Sequence, residues 1–279
     1  MKQIRIMEAF VFAFESLKKY PMLLLAPPIF FSLIGNGLRI FSNATSKIPV
    51  FTAMAAETNP LEKFDFLFTK NQINPILIAI FVFTFIVILA IVITISISLE
   101  IGRIRIAFHV FEKSDEEPTW SIYNNFGKGI IGKYFWASLL LGLIILGGLI
   151  LFLVPGFILA LMYQFVIFIL VEKKVSISNA FQQSNKLTNG VKWQLFGFGL
   201  LVFFLELMIL IPMSLVQEAG LNFVYFPLNI IVTPIVGVFF VMASIFIYKD
   251  ISSQQEEINL QIEGYPGSVD QESEDSKSF

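Results

Sequence analysis

The sequence has no cysteine and only one histidine among its 279 residues. Without cysteine the chain can form no disulfide, present no reactive thiol and offer no thiolate to a metal ion. The single histidine, His109, has only Glu112 at helical spacing, which is more typical of an interfacial side chain than of a ligand or general base. No metal site and no cofactor are therefore expected.

Charged residues are also scarce, at 14% of the chain, whereas hydrophobic residues make up 56% and the mean hydropathy is +0.77. A soluble domain is usually less apolar than this. The 32 phenylalanines outnumber the seven tyrosines and three tryptophans, a balance that suits lipid-facing and interhelical packing. The composition indicates an integral membrane protein.

The most informative stretch is residues 134–192. Residues 134–171 contain no formal charge over 38 positions, and one helix of that length would extend about 57 Å. A hydrocarbon core is only about 30 Å thick, so the segment is predicted to fold back on itself. We expect two spans joined by a tight turn at Pro155-Gly156. An amphipathic helix on the membrane surface is predicted to follow over 176–192, with Ser178 as its cap.

Apolar runs elsewhere predict four further spans, and two more stretches are typical of surface-lying segments. In residues 1–19, Ile6, Phe10, Phe14 and Leu17 recur at helical spacing, which favours an interfacial helix over a cleaved signal peptide. The second such segment is 114–133. The predicted spans are 21–41, 74–99, the two within 134–171, 193–215 and 222–248.

The predicted fold class is an all-α integral membrane protein with about six transmembrane helices arranged as three hairpins and amphipathic helices on the cytoplasmic side. Residues 1–250 would form the membrane domain. Residues 251–279, rich in serine, glutamine and glutamate, are predicted to form a disordered acidic cytoplasmic tail. With both termini inside, 15 of the 19 lysines and arginines face the cytoplasm. The positive-inside rule therefore predicts a multi-pass protein of the cytoplasmic (inner or plasma) membrane with both termini cytoplasmic.

A loose internal repeat accompanies this pattern. Spans one, three and five each follow a surface segment that ends in lysine plus an aromatic residue, and an alanine-phenylalanine pair occurs in the first and third surface segments. Either three related units of surface helix plus hairpin, or a shared use of basic and aromatic interfacial anchors, accounts for the similarity.

A set of short motifs in the second half of the chain carries a family resemblance: Val154-Pro155-Gly156, Glu172, Ala180-Phe181, Ser184, Leu187-Thr188, Gly190, Lys192-Trp193 and Tyr248-Lys249-Asp250. These motifs resemble a family of prokaryotic six-span membrane proteins that includes the YciC-type proteins, the DUF975 proteins and the membrane domain of some glycerophosphodiester phosphodiesterases. The resemblance implies the fold and leaves the activity open, and no phosphodiesterase domain is present in this chain.

Glu206 is the sharpest candidate for a functional residue, because it lies about 20 Å along the fifth span. A carboxylate there is costly and normally faces a partner or a cavity. It could couple to a proton or ligand, or it could hold helices together, with Arg39 as an ion-pair partner. Asn36, Gln164 and Asn229 could line a polar path or form interhelical hydrogen bonds.

Lysines beside aromatic residues at the predicted cytoplasmic interface form the second candidate set. They could contact anionic lipid headgroups, each contributing about 1 kcal/mol, or they could serve only to set the topology. The glycines around Lys128 lack phosphate-loop spacing. The predicted lipid-contact residues are Lys128, Lys133, Lys173, Lys174, Phe181, Lys186, Lys192 and Trp193.

No paired acids, serine-lysine dyad or histidine cluster forms a recognisable catalytic set, so an enzyme is not expected. The leading hypothesis is a non-enzymatic protein that interacts with lipids or organises the membrane. The alternative is a small transporter or permease with a polar path at Glu206. The expected partners are membrane lipids and other membrane proteins, without nucleic acid.

Overall fold

The computed structural model describes residues 2–45, 75–112, 118–119, 121–124 and 129–263. Within these ranges the regular structure is helical and contains no strand. The ten described helices are α1 Ile6–Lys19, α2 Pro21–Thr45, α3 Pro75–Phe111, α4 Ser121–Asn124, α5 Ile130–Leu151, α6 Leu153–Tyr163, α7 Val166–Lys173, α8 Ile177–Thr188, α9 Lys192–Glu218 and α10 Asn222–Glu263.

Five stretches in the described part are long and apolar enough to cross a membrane: those in α3, α5 and α9, the pair α6 and α7 taken together, and α10. A sixth span results if α1 and the first part of α2 are counted as one, although an 89° bend separates them. Apolar runs of this length can satisfy their backbone hydrogen bonds in lipid only as helices. The all-α membrane fold class predicted from the sequence is confirmed.

The hairpin between α5 and α6 turns at Phe152, whose backbone is extended (φ −161°, ψ 146°), and not at Pro155-Gly156 as predicted. Pro155 lies in the first turn of α6, where its missing N–H is tolerated. Gly156 is helical and buried, and a Cβ built there would lie 2.5 Å from the backbone nitrogen of Leu149. Glycine at 156 therefore permits close contact between the two helices and is not the turn residue.

The chain remains helical beyond residue 250, through Glu263. This differs from the disordered tail predicted from residue 251, because contacts to the N-terminal segment support the start of the extension. Ile251 is fully buried, and Gln254 exchanges two hydrogen bonds with the main chain of Gln3. Residues 264–279 lie outside the described residues, as do residues 114–117, 120 and 125–128 of the surface segment predicted at 114–133.

The buried core is concentrated at the end of the bundle where α1 lies, referred to below as the α1 end. It is formed by the last third of α3, by α7, and by the stretch of α10 around Tyr248, against which α1 packs. In contrast, residues 82–95 of α3 are exposed on every side. The packed, charged end of the bundle therefore holds the candidate site.

Candidate functional site

Helix α1 packs against α10 through a stripe of small residues. Ala9 and Ala13 are fully buried and Ser16 is 3% exposed, and their four- and three-residue spacing places them on one face. Small side chains let two helices approach closely. Beside this stripe, the ring of Phe10 stacks on Phe239 with 5.5 Å between centroids. This packing fixes α1 across the end of the bundle.

The opposite face of α1 is apolar and exposed. Met7, Val11 and Phe14 are 75%, 53% and 64% exposed and repeat the same spacing two residues out of phase, which places them about 200° around the helix from the buried stripe. Glu8 and Glu15 lie between the two faces and are exposed. The helix thus has a buried side, an exposed apolar side and an exposed charged side, a pattern typical of interfacial helices.

The segment before α1 is held by two glutamine side chains. Gln194 accepts from the N–H of Ile4 (2.7 Å) and donates to the carbonyl of Lys2 (3.3 Å). Gln254 accepts from the N–H of Gln3 (3.0 Å) and donates to its carbonyl (2.8 Å). Each side chain thus hydrogen-bonds to main-chain groups of the segment before α1, which are not paired within a helix. The start of the chain is thereby tied to α9 and α10.

A charge pair reinforces this attachment. The Nε of Arg5 donates to Oδ1 of Asp250 at 3.0 Å, and Asp250 is only 2% exposed. Arg5 itself is half-exposed and also pairs with Glu8 at 2.8 Å. The hydrogen bond that Arg5 donates to Asp250 raises the pKa of Arg5, so the guanidinium keeps its charge. The orientation of α1 thus depends on a buried carboxylate of α10.

Lys249 forms a second ionic group at the same end. Its Nζ lies 2.5 Å from Oε1 of Glu172 and 2.7 Å from Oε1 of Glu112, and 5.0 Å from the centre of the Phe108 ring. The hydroxyl of Tyr248 also donates to Glu172. These contacts join the ends of α3 and α7 to α10 and place one partly buried cation between two carboxylates.

Helix α8 seals a break between α6 and α7. The α-helical bonding is interrupted at Gln164 and Phe165, and the carbonyl of Met162 is satisfied by α8 instead. It accepts from Ser184 Oγ at 2.8 Å and from Thr188 Oγ1 at 3.4 Å. The two hydroxyls lie on the buried face of α8, so this face packs on protein.

The outward side of α8 is polar. No large hydrophobic side chain of α8 is highly exposed, and the ring of Phe181 is half-buried with its centroid 5.0 Å from that of Tyr163. The cap lies two residues earlier than expected, because Ser176 rather than Ser178 accepts from the N–H of Asn179. Lipid contact by Phe181 stays a prediction, and of the two amphipathic helices it is α1 that has an exposed apolar face.

The two amphipathic helices nevertheless share a spacing of buried residues. In each, three buried positions are separated by four and then three residues, and the first is a fully buried alanine that precedes a half-buried phenylalanine. Helix α8 also buries Thr188. This agrees with the repeat predicted from the sequence for the first and third units, which stays a prediction. The matching positions are Ala9, Ala13 and Ser16 in α1, and Ala180, Ser184 and Leu187 in α8.

Two of the predicted intramembrane polar residues meet. Asn36 of α2 donates to Oδ1 of Asn229 of α10 at 3.1 Å and to the carbonyl of Ser32 at 2.8 Å. Asn229 in turn donates to the hydroxyl of Tyr225 at 3.3 Å. This arrangement matches the interhelical hydrogen-bond alternative, since the amides use their donors on each other and on nearby groups.

The other three predicted intramembrane residues are not brought to this pair by any hydrogen bond in the described part of the chain. Glu206 is half-buried on α9, and no hydrogen bond or ion pair reaches it from the residues that the structure describes. Gln164 lies at the break after α6, with its Nε2 buried and unpartnered there. Arg39 lies in α2, and its side chain is outside the described residues.

Most of the predicted lipid-contact lysines point away from the protein. Lys133, Lys173, Lys174 and Lys186 are exposed, Lys192 is half-buried, and Trp193 is 84% exposed at the start of α9. Lys174 has a left-handed backbone (φ 52°) where α7 ends. Lys128 lies outside the described residues. Lipid binding by this set stays a prediction.

Sequence reasoning missed the anchors of the N-terminal segment. Gln194 and Gln254 carry no signal in the sequence, because a glutamine beside a span is equally typical of a solvated position. Asp250 and Lys249 do carry one, because opposite charges directly after an apolar run need partners when the helix end is buried. Both residues belong to the motifs that carry the family resemblance.

No protein-family model, no curated protein and no solved structure matches the chain. Among the described residues, no three histidine, aspartate or glutamate side chains group as metal ligands would.

Proposed function

We propose that the protein is a non-enzymatic, multi-pass membrane protein that interacts with lipids and organises one leaflet through α1. The observation that carries the proposal is the three-sided character of α1. Its small residues pack on α10, its charged side faces away from both, and Met7, Val11 and Phe14 remain uncovered. Covering these three side chains with lipid would contribute on the order of 4 kcal/mol.

The attachments of α1 support a role beyond simple anchoring. A helix that lay in the interface only for its apolar face would need no ion pair to a buried carboxylate, yet Arg5 reaches Asp250, which is nearly inaccessible to water. The 89° bend before α2 then sets the angle between α1 and the spans. A rigid, angled helix can impose its depth on the surrounding headgroups, whereas a loosely held one would follow the lipid.

The α1 end is proposed to face the cytoplasm, in the cytoplasmic membrane, with both termini inside. The distribution of lysine and arginine in the sequence supports this orientation. The exposed lysines Lys133, Lys173, Lys174 and Lys186 would then lie where anionic headgroups concentrate.

We further propose membership of the YciC-type and DUF975 group of six-span proteins. Two separate parts of the resemblance meet in space, which supports this assignment. Glu172 at the end of α7 accepts from Tyr248 and pairs with Lys249, although 76 and 77 positions separate them in the chain.

The proposal is tested by native mass spectrometry of protein released from vesicles that contain phosphatidylglycerol and phosphatidylethanolamine. The variant Val11→Ser/Phe14→Ser makes the exposed face of α1 polar. We expect it to retain several-fold less lipid than the wild type, because the apolar contact area is lost. Met208→Ser, at a 72% exposed position of the span α9, is the matched control and should retain wild-type lipid. Equal retention by all three proteins would refute the role of α1.

A small transporter is the second candidate, supported by the polar contact between Asn36 and Asn229 inside the bundle and by the half-buried Glu206. It predicts proton or solute flux in liposomes that Glu206→Gln changes. Flux that is absent, or indifferent to this substitution, would remove Glu206 from any transport path.

A further inference from the structure

Glu206 is a carboxyl group at membrane depth for which the described part of the fold provides no partner. It lies 14 residues after the start of α9, which is about 21 Å along a helix that crosses a core about 30 Å thick. A polar group at that depth is costly unless it is hydrogen-bonded, so intramembrane acids normally face one another, a backbone carbonyl or a cavity.

The neighbouring helices do not supply this partner. Helix α9 packs mainly against α10 and in part against α6, and it makes no extensive contact with α2, which carries Arg39, in the described part. The amides of Asn36 and Asn229 are engaged between α2 and α10. Asn229 lies more than 20 residues before the part of α10 that reaches the α1 end, which is about 30 Å along the helix. Asn229 is therefore farther from the α1 end than Glu206 is.

Glu206 lies at the edge of the protein-facing side of α9. Leu195 and Met213, which are buried, are about 20° from it around the helix on one side. On its other side are the exposed residues Gly199, Phe203 and Leu210, at seven, three and four positions from it. The edge thus presents a carboxyl group on an open strip, with nothing within 4 Å of a Cβ built at Gly199.

We propose that this strip, Gly199, Phe203, Glu206 and Leu210, is the contact surface for a second copy of the chain. Two copies in one membrane are related by a two-fold axis along the membrane normal, so α9 meets α9 in parallel and each residue keeps its depth. Glu206 then faces Glu206. A carboxyl group that holds its proton both donates and accepts, so the pair is complementary to itself. Gly199 lets the backbones approach, as small residues do between transmembrane helices.

The absence of cysteine makes the arrangement directly measurable, because a single introduced cysteine reports on one position. In vesicles, Phe203→Cys is expected to form an intermolecular disulfide under mild oxidation. Phe204→Cys is the matched control, because Phe204 is equally exposed (55% against 53%) but lies on the far side of α9, and it should remain monomeric. Cross-linking of both positions alike, or of Phe204→Cys alone, would overturn the proposed contact.

A second measurement tests the role of the carboxyl group. Subunit counting by single-molecule photobleaching, over a wide range of protein-to-lipid ratios, should show dimers of the wild-type chain. Glu206→Leu is expected to weaken dimerisation about tenfold, whereas Glu206→Gln, which still donates and accepts, should retain most of it. A wild-type chain that stays monomeric at every ratio, or a Glu206→Leu variant that dimerises as well as wild type, would refute the proposal.

Discussion

Replacing Lys249 with methionine should destabilise the protein strongly, because the substitution leaves a mostly buried carboxylate without its cation. Lys249 is 14% exposed and Glu172 is 24% exposed, so water cannot fully replace the lost contact. Removing one partner of a buried pair costs about 3–5 kcal/mol. Since Tyr248 continues to donate to Glu172, we expect the lower end of that range, about 3 kcal/mol.

The two carboxylates that hold Lys249 should contribute unequally. Glu112 is 58% exposed, so Glu112→Gln is expected to cost under about 1 kcal/mol. The double variant Glu172→Met/Lys249→Met removes both buried charges and should recover most of the loss, because an apolar pair often substitutes for a buried ion pair at little cost. The stability of each variant is measured by unfolding in mixed micelles, followed by circular dichroism. A double variant no more stable than Lys249→Met would refute this account of the cluster.

Three further predictions concern packing and polar contacts within the spans. Gly156→Ala should cost about 1–3 kcal/mol of unfolding free energy in the same assay, because the added Cβ meets the backbone of α5. The control Gly142→Ala, where a Cβ meets open space, should not destabilise the protein, and equal effects of the two variants would contradict the close approach of the helices. Ser184→Ala should lower the free energy of unfolding by about 1 kcal/mol and speed proteolysis near the break after α6, because the Met162 carbonyl loses its 2.8 Å hydrogen bond. Unchanged stability would indicate that another group donates to this carbonyl. Asn229→Leu should cost about 0.6 kcal/mol, as interhelical hydrogen bonds in membranes do, and a loss several times larger would imply a role beyond pairing α2 with α10.

Much of the fold follows from the lengths of the apolar runs. Residues 134–171 cannot cross a membrane once, so a hairpin is required whatever the packing. The position of the turn in this hairpin could not be predicted in the same way. Proline and glycine favour turns, but both also suit a helix start or a close helix contact, and only the neighbouring helix decides which use applies. Phe152, which makes the turn, carries no turn signal.

The candidate site was only partly predictable, for a related reason. Helical periodicity identified α1 and its apolar residues, but it grouped Phe10 with Phe14, whereas the structure stacks Phe10 on protein and leaves Phe14 exposed. Periodicity reveals that a face is apolar and not what covers it. Likewise, the pairing of Lys249 with Glu172 joins residues 77 positions apart, which no local pattern encodes.

The central claim, that the exposed face of α1 contacts lipid, is tested most directly by the depth of Phe14. The variant Phe14→Trp, made after the three native tryptophans are replaced by phenylalanine, is reconstituted with lipids brominated at defined positions along the acyl chain. The account predicts strong quenching by bromines near the headgroup boundary, about 5–10 Å into the leaflet, and weak quenching by aqueous iodide. Strong quenching by iodide with none by brominated lipid would contradict it.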